Sequence, residues 1–507
     1  MKKNQRSAGP PQASSAPSGG SALHEVKSVG ASERSAGPPQ ASSAPSGGSA
    51  LHEVKSVGAS ERSAGPPQAS SAPSGGSALH EVKSVGAILL GCIADDFTGA
   101  TDLANNLVRA GMRVVQAIGV PAQALGTEVD AVVVALKSRT LPKEEAIAQA
   151  LDALRWLQAQ GAQQIYFKYC STFDSTAQGN IGPVGEALMD ALATDFTIAT
   201  PAFPDNQRTV FKGYLFVGDV LLNQSGMQNH PLTPMTDANL VRVLQAQCSR
   251  QVGLIDYKVV AQGEAAIRTR IAQLRAQGVG LAIVDAISND DLLRLGPALK
   301  GMPLVTGGSG VAIGLPANFG IAPSETASAL PAATGLQAVL SGSCSLATNR
   351  QVLAFIQAGR PALGIDALQI AAGIDVATQA LAWAEPLLSQ GPVLIYSTAD
   401  SSAVKAVQGQ LGVAEAGAIL ERTLAAIARG LVTLGVRQLV VAGGETSGAC
   451  VQALNIMQMK IGPQIDPGVP WCHAQTNAAP GAGLHLALKS GNFGADDFFS
   501  KAFTGLV

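Results

Sequence analysis

The sequence predicts an α/β protein: two α/β domains with mainly parallel sheets facing a central cleft, preceded by a disordered repeat tail. Three observations carry this prediction. Short apolar runs alternate with amphipathic segments from Ile88 onward, the pattern of β-α units. Hydrophobic residues make up 47% of the chain and charged residues only 14%, as strands buried on both faces require. A polar, Pro-bearing and aperiodic stretch, "FGIAPSETASALPAATG", divides the series in two and reads as a linker. The boundaries that follow are 1–87 for the tail, 88–320 for the first domain and 335–507 for the second.

In chain order, the tail comes first. "RSAGPPQASSAPSGGSALHEVKSVGASE" begins at Arg6 and again at Arg34, and a third copy starts at Arg62, a period of 28 residues. Each copy offers only Leu, Val and Val as large apolar residues among Pro, Gly and Ser, too little buried surface to offset ordering entropy. Because the copies are residue-identical, they read as recent DNA duplication or an over-extended start rather than a binding array.

The first domain then offers strands in "ILLGCIAD", "AVVVALKS", "QQIYFKYC", "FTIATPA", "VGLIDYKVV" and "GLAIVDAI". Helices intervene in "EEAIAQALDALRWLQAQG" and "EAAIRTRIAQLRAQG", each closed by a C-terminal Gly. "VFKGYLFVGDVLL" reads as a hairpin turning at Gly213. The second domain contributes "QAVLSGSCS", "GPVLIYSTAD", "RQLVVAGGETSG" and "LHLALKSGNFG".

Several function classes fall away on composition. A net charge of −2 gives no global pull toward nucleic acid or anionic membrane. There is no apolar run of membrane-spanning length, and "MKKNQRSAGPPQ" lacks the apolar core of a signal peptide, so a cytoplasmic protein is expected. The six cysteines are scattered singly, without a C-x-x-C pair, and the six histidines form no H-x-x-x-H pair, so no structural metal site is expected. "WCH" at Trp471 to His473 reads as packing. No Walker A sequence occurs, which excludes a P-loop NTPase.

In open parallel sheets, ligands bind beyond the carboxyl ends of strands. The first domain's strand ends carry charge: Asp95 and Asp96, Lys137 and Arg139, then Lys168, Ser171, Asp174 and Ser175 ahead of a helix opened by Gly179 and Asn180. Such residues can hold and ionise a polar, anionic substrate. The second domain's strand ends carry small residues in "SGSCS", "STAD", "GGETSG" and "SGNFG", whose backbone N–H groups can cradle phosphates. Ser341, Ser343 and Ser345 are candidate phosphate donors or a simple cap. Gly443 and Gly444 let the backbone approach a phosphate, with Thr446 or Ser447 placed to cap the next helix. Together the two inventories point to phosphoryl transfer between a nucleotide and a small acid.

The adjacent pair Asp95–Asp96 is the sharpest feature. One carboxylate can cap the helix entered at "DFTG"; two close like charges need a cation or proton between them. The functional reading gives one to the turn and the other to a substrate hydroxyl or Mg²⁺, with both assignments open. "VTGGSGVAIG" resembles a dinucleotide fingerprint, which keeps an NAD(P)-dependent oxidoreductase as an alternative; a lone glycine pattern is weak support.

Taken together, "ADDFTGATD", "DSTAQGNIG", "TGGSG", "SGSCS", "GGETSG" and "KSGNFG" resemble the four-carbon acid sugar kinase family, in order and spacing, over essentially all of 88–507. "KYCSTFDST" and "QNHPLTPMTD" look like the 3-oxo-tetronate kinase branch. The resemblance implies ATP-dependent phosphorylation of the 4-hydroxyl of 3-oxo-tetronate, with the sugar acid in the first domain and ATP in the second. D-threonate or D-erythronate kinase activity is the alternative within the family, and a non-catalytic sugar-acid-binding protein is one outside it. Implied nucleotide contacts are Ser341, Ser343, Gly443, Gly444, Glu445, Thr446 and one of Gly491 and Gly494, with Gly491 preferred. Either Asp96 or Asp95 accepts the hydroxyl proton, Lys168 and Arg139 hold the substrate carboxylate, and ATP arrives with Mg²⁺. The partners implied are a small sugar acid and ATP, with neither nucleic acid nor membrane; a homo-oligomer is compatible.

Overall fold

The computed structural model describes residues 88–506, apart from 126–128, 175, 231–232 and 400. The repeat tail and Ser175 lie outside the described residues. The first half runs β1 (Leu90–Ala94), α1 (Phe97–Arg109), β2 (Val114–Ile118), β3 (Ala131–Ala135), α2 (Lys143–Ala159), β4 (Gln164–Lys168), α3 (Ile181–Ala191) and β5 (Thr197–Thr200). It continues with β6 (Arg208–Phe211), β7 (Tyr214–Val217), β8 (Val220–Leu221), α4 (Leu240–Gln245), β9 (Gln251–Ile255) and α5 (Tyr257–Val260). It closes with α6 (Glu264–Ala276), β10 (Val279–Val284), α7 (Asn289–Ala298) and β11 (Leu304–Gly307).

The second half runs β12 (Leu336–Ser341), α8 (Leu346–Gln357), β13 (Ala362–Gly364), α9 (Ala367–Ala371), α10 (Val376–Ala384), β14 (Val393–Tyr396), α11 (Ser401–Leu411) and α12 (Val413–Thr433). It ends with β15 (Val436–Ala442), α13 (Gly444–Ala453), β16 (Gln458–Asp466), β17 (Val469–Ala474), β18 (Leu484–Lys489) and α14 (Phe498–Lys501).

The mixed α/β, mainly parallel fold is as the sequence predicts. Its connection is not. Fifteen described strands form one sheet, ordered β13-β14-β12-β15-β18-β17-β16-β2-β3-β1-β4-β11-β5-β10-β9. The β16–β17 hairpin stitches the halves together: it pairs antiparallel with β2 over Gln458–Lys460 and with β18 over Cys472–Ala474. Apart from the antiparallel β16–β17 pairing itself, all other neighbours in this sheet are parallel, and their central residues, such as Val132–Val134 and Leu439–Val441, are fully buried. That burial on both faces is why the parallel strands read as unbroken apolar runs.

Two local expectations resolve in detail. "VGLIDYKVV" is a strand only to Ile255; Asp256 then caps the short α5 by accepting from Val259 N–H. The β6–β7 hairpin turns on Lys212 and Gly213, both with positive φ (55° and 75°), the backbone of a type I′ turn. Buried Asp285 holds that turn, accepting from Lys212 N–H at 2.7 Å and Gly213 N–H at 2.8 Å.

Register places the functional strand ends side by side. In the first half, Ala94 lies beside Ala135 and Lys168, and Lys168 beside Gly307. In the second, Ala442 lies beside Ser341 and Lys489, and Ser341 beside Tyr396. The loops that follow these residues therefore form two clusters.

Candidate functional site

The first cluster is an acidic tip organised by one guanidinium. Asp96 caps α1: its Oδ1 accepts from Gly99 N–H at 2.9 Å and its Oδ2 from Thr98 Oγ1 at 3.0 Å. Asp95, at the end of β1, receives both Nε (2.9 Å) and an Nη (2.8 Å) of Arg139. The same guanidinium lies 2.9 Å from Asp96 Oδ1 and 3.7 Å from Asp174 Oδ2. Arg139 is the cation that lets two neighbouring carboxylates share a small space.

That arrangement separates the two acids. Burial pushes the Asp95 carboxyl up, with Arg139 opposing. Burial also raises the cost of ionising Asp96, but Arg139, then Lys168, the Thr98 hydroxyl and the Gly99 N–H outweigh it. Its carboxyl therefore sits below the usual carboxylate range. Asp96 is held ionised.

The assignment of Arg139 to the substrate carboxylate needs correction, because its fork is already engaged by three carboxylates. The Asn180 amide nitrogen is likewise occupied, donating to the carbonyls of Ser138 (3.1 Å), Arg139 (3.2 Å) and Leu141 (2.9 Å), while its Oδ1 has no partner among the described residues. It latches the loop carrying Arg139, a positioning task. Lys168 is 1% exposed, donates to Tyr169 O at 2.7 Å and lies under the α1 N-terminus beside Gly99. Ser171 and Thr172 are buried in the following turn, where Thr172 Oγ1 donates to Asp174.

The second cluster is a cradle of three glycine-bearing turns. Gly443 is the N-cap of α13 with φ +117°, a conformation open to glycine, and no side chain caps the helix. Thr446 and Ser447 lie inside the first turn, correcting the expected cap. The N–H groups of Gly444, Glu445 and Thr446 thus have no intrahelical acceptor by helix geometry, and the helix dipole adds positive potential there. A methyl on Gly342 would overlap Thr446 Oγ1, one on Gly443 would lie 3.2 Å from Ser343 N, and one on Gly491 2.5 Å from Ser343 Oγ. Ser343 is thus the serine at the meeting point. Ser341 is fully buried, its hydroxyl 2.6 Å from Thr398 Oγ1, so only its backbone faces the turn. Gly491 faces the cradle, whereas Gly494 packs on Phe498.

Lys489, which sequence reasoning missed, holds this cradle from below. Its Nζ donates to Thr348 Oγ1, Ser490 O and Gly491 O at 3.0 Å and to Phe493 O at 3.1 Å. Ser345 caps α8 and donates to Gly491 O at 2.5 Å. Burial lowers the Lys489 ammonium from 10.5 to about 7, with Asp466 opposing. The folded value lies below the unfolded one, so between them the unfolded chain binds the extra proton and stability rises with pH. The wild type should therefore gain on Lys489→Met as pH rises from 7 toward 10, by up to about 1.4 kcal/mol per unit. Urea unfolding of both proteins at pH 7 and 9.5 checks this; parallel pH profiles would refute it.

The two clusters meet. Asp96 Oδ2 and Thr98 Oγ1 lie 3.8 and 3.7 Å from where a Cβ on Gly444 would stand. Phe97 packs on α13, 2.7 Å from a Cβ position on Gly448. Lys137 bridges the seam to Glu445 (2.6 Å) and Glu421 (3.6 Å), so Glu445 is tied to the first half. By contrast, the dinucleotide look-alike is a packing device: Gly310 opens a 3₁₀ turn against Ala202 O, and Gly314 abuts Leu292 O.

As to metals, no group of three or more His, Cys, Asp or Glu gathers among the described residues. Mg²⁺ held by nucleotide phosphates needs only one or two carboxylates. Asp96, ionised and aimed at the head of α13, is a hard oxygen donor of that kind. Among the described residues, no helix is long and apolar enough to cross a membrane.

Comparison with known proteins finds two matched stretches. Residues 90–315 match a sugar-binding N-terminal domain and residues 338–499 a nucleotide-binding C-terminal domain. The chain is 61% identical over 422 residues to a 3-oxo-tetronate kinase of Burkholderia multivorans, covering 82% of this chain and 97% of that one. A 3-oxo-tetronate kinase of Haemophilus influenzae is 47% identical over 415 residues, covering 82% and 99%. Among solved structures, a Haemophilus influenzae protein matches with a TM-score of 0.65 at 46% identity, covering 82% of this chain and all of that one.

Proposed function

Because the chain belongs to the four-carbon acid sugar kinase family, we propose that it transfers the γ-phosphoryl group of ATP to the 4-hydroxyl of 3-oxo-tetronate in the cytoplasm. One observation carries the reading: ionised Asp96 stands opposite Gly444 at the uncapped head of α13. A proton acceptor for the hydroxyl and a phosphate cradle are thus already within reach of one another.

In this reading, 88–320 hold the sugar acid and 335–507 the nucleotide. The N–H groups of Gly444, Glu445 and Thr446, with Ser343 and Gly491 beside them, receive phosphate oxygens. Asp96 orients the 4-hydroxyl and takes its proton as the oxygen bonds to the γ-phosphorus and the bond to ADP breaks. Lys168 and Arg139 keep the acidic tip near neutrality while substrate carboxylate and phosphates enter. Asp96 is the carboxylate that would hold Mg²⁺, which would supply charge neutralisation on the phosphate oxygens. The packing of Phe97 on α13 excludes water, the competing acceptor.

A coupled ADP-release assay across 3-oxo-tetronate, D-threonate and D-erythronate tests the reading. ADP release should depend on the acid and be fastest with the 3-oxo form. Faster release with threonate or erythronate would move the assignment to that alternative, and none with any of the three would remove it.

A further inference from the structure

Among the buried polar atoms near the acidic tip that have no partner among the described residues are Arg208 Nε and Asp102 Oδ1. Arg208 opens β6 and is 8% exposed. One Nη donates to Asn206 O, and the guanidinium stacks 5.7 Å from the Phe493 ring centroid, on the loop that carries Gly491. Asp174 and Asp102 act on it electrostatically, and among the described residues no ion pair within 4.0 Å holds it. A buried guanidinium without a counter-ion is costly, and its planar fork matches a carboxylate.

Asp102 lies on α1 on the way from Arg208 to Asp96. Its Oδ2 accepts from Ser309 Oγ, while its Oδ1 abuts Gly468. Its surroundings include Lys168, Asp96 and Arg208, and burial pushes its carboxyl up to about 7. With Arg139 engaged by Asp95 and Asp96, Arg208 is the open fork for an anionic substrate among the described residues of the site.

Resting on the kinase reading, we propose that Arg208 receives the substrate carboxylate and that Asp102, held by Ser309, accepts a hydroxyl of the same molecule. The chemistry suits a four-carbon acid: the carboxylate is fixed at one end, and the phosphorylated hydroxyl reaches Asp96 at the other.

The test is steady-state kinetics of Arg208→Gln with 3-oxo-tetronate and with the uncharged four-carbon ketose in which the carboxylate is a primary alcohol. KM for the acid should rise about 30-fold or more, KM for ATP should stay within about twofold, and the ketose should be handled as by wild type. The preference for acid over ketose thus collapses, with Arg208→Lys recovering part of it. An unchanged KM for the acid overturns the proposal, as does equal loss of acid and ketose turnover, which marks a structural role. If Arg208→Gln is insoluble, Arg208→Lys decides, since a retained charge without the fork should still raise KM several-fold and an unchanged value refutes the assignment. A wild type that releases no ADP with any four-carbon acid sinks the kinase reading alone. Thermal shifts with 3-oxo-tetronate then judge Arg208 separately: a shift seen in wild type and lost in Arg208→Gln supports it, and equal shifts overturn it.

Discussion

Asp96→Asn should lower kcat by about 10²–10⁴-fold, the range typical of a lost general base, while ATP still binds. The substitution isolates chemistry from structure. Asn caps helices about as well as Asp, so the bond from Gly99 N–H to Asp96 Oδ1 survives in kind. Asp96→Ala, by contrast, should lose both turnover and roughly 1 kcal/mol of stability through the missing cap. ADP release and a nucleotide-dependent thermal shift, measured on the same samples, separate the two. Full turnover in Asp96→Asn would reassign the proton acceptor.

Arg139→Met should destabilise the fold by about 3 kcal/mol at pH 7, the low end for breaking a buried ion pair. The mechanism is the one that answers why Asp95 and Asp96 coexist. Without the guanidinium, two carboxylates and the nearby Asp174 confront one another. The sign with pH follows. In the wild type, Asp96 titrates below its unfolded value, so its contribution is present above the usual carboxylate range and lost as pH falls through its own value. In Arg139→Met the carboxyls titrate above their unfolded values, and acidification from pH 7 to 5 restores stability by neutralising them. Urea unfolding at both pH values should show the variant's deficit shrinking; a deficit that is constant with pH contradicts this account.

Much of this was legible in the residues. The apolar runs ending in "IADD", "LKSRT", "YFKYC" and "VVAGGE" declare parallel strands and the loops beyond them, because strands buried on both faces carry no alternation. The Gly443–Gly444 turn is legible too, since φ +117° at Gly443 admits little else. The β16–β17 hairpin escaped notice. "QMKIGPQIDPGVPWCHA" is interrupted by proline and polar residues, and its partner strand β2 lies more than 300 residues earlier. Long-range antiparallel pairing leaves no local period.

Local composition and turn chemistry decided which segments are strands, where glycine is required, and that acids end one set of strands and small residues the other. Which charges are consumed by one another was a tertiary matter. Burial and distance assigned Arg139 to Asp95, Asn180 to a loop and Lys489 to the cradle, and left Arg208 Nε without a partner among the described residues. The reason is physical: a side chain's charge is written in the sequence, but its partner and its exposure to water exist only once distant segments pack.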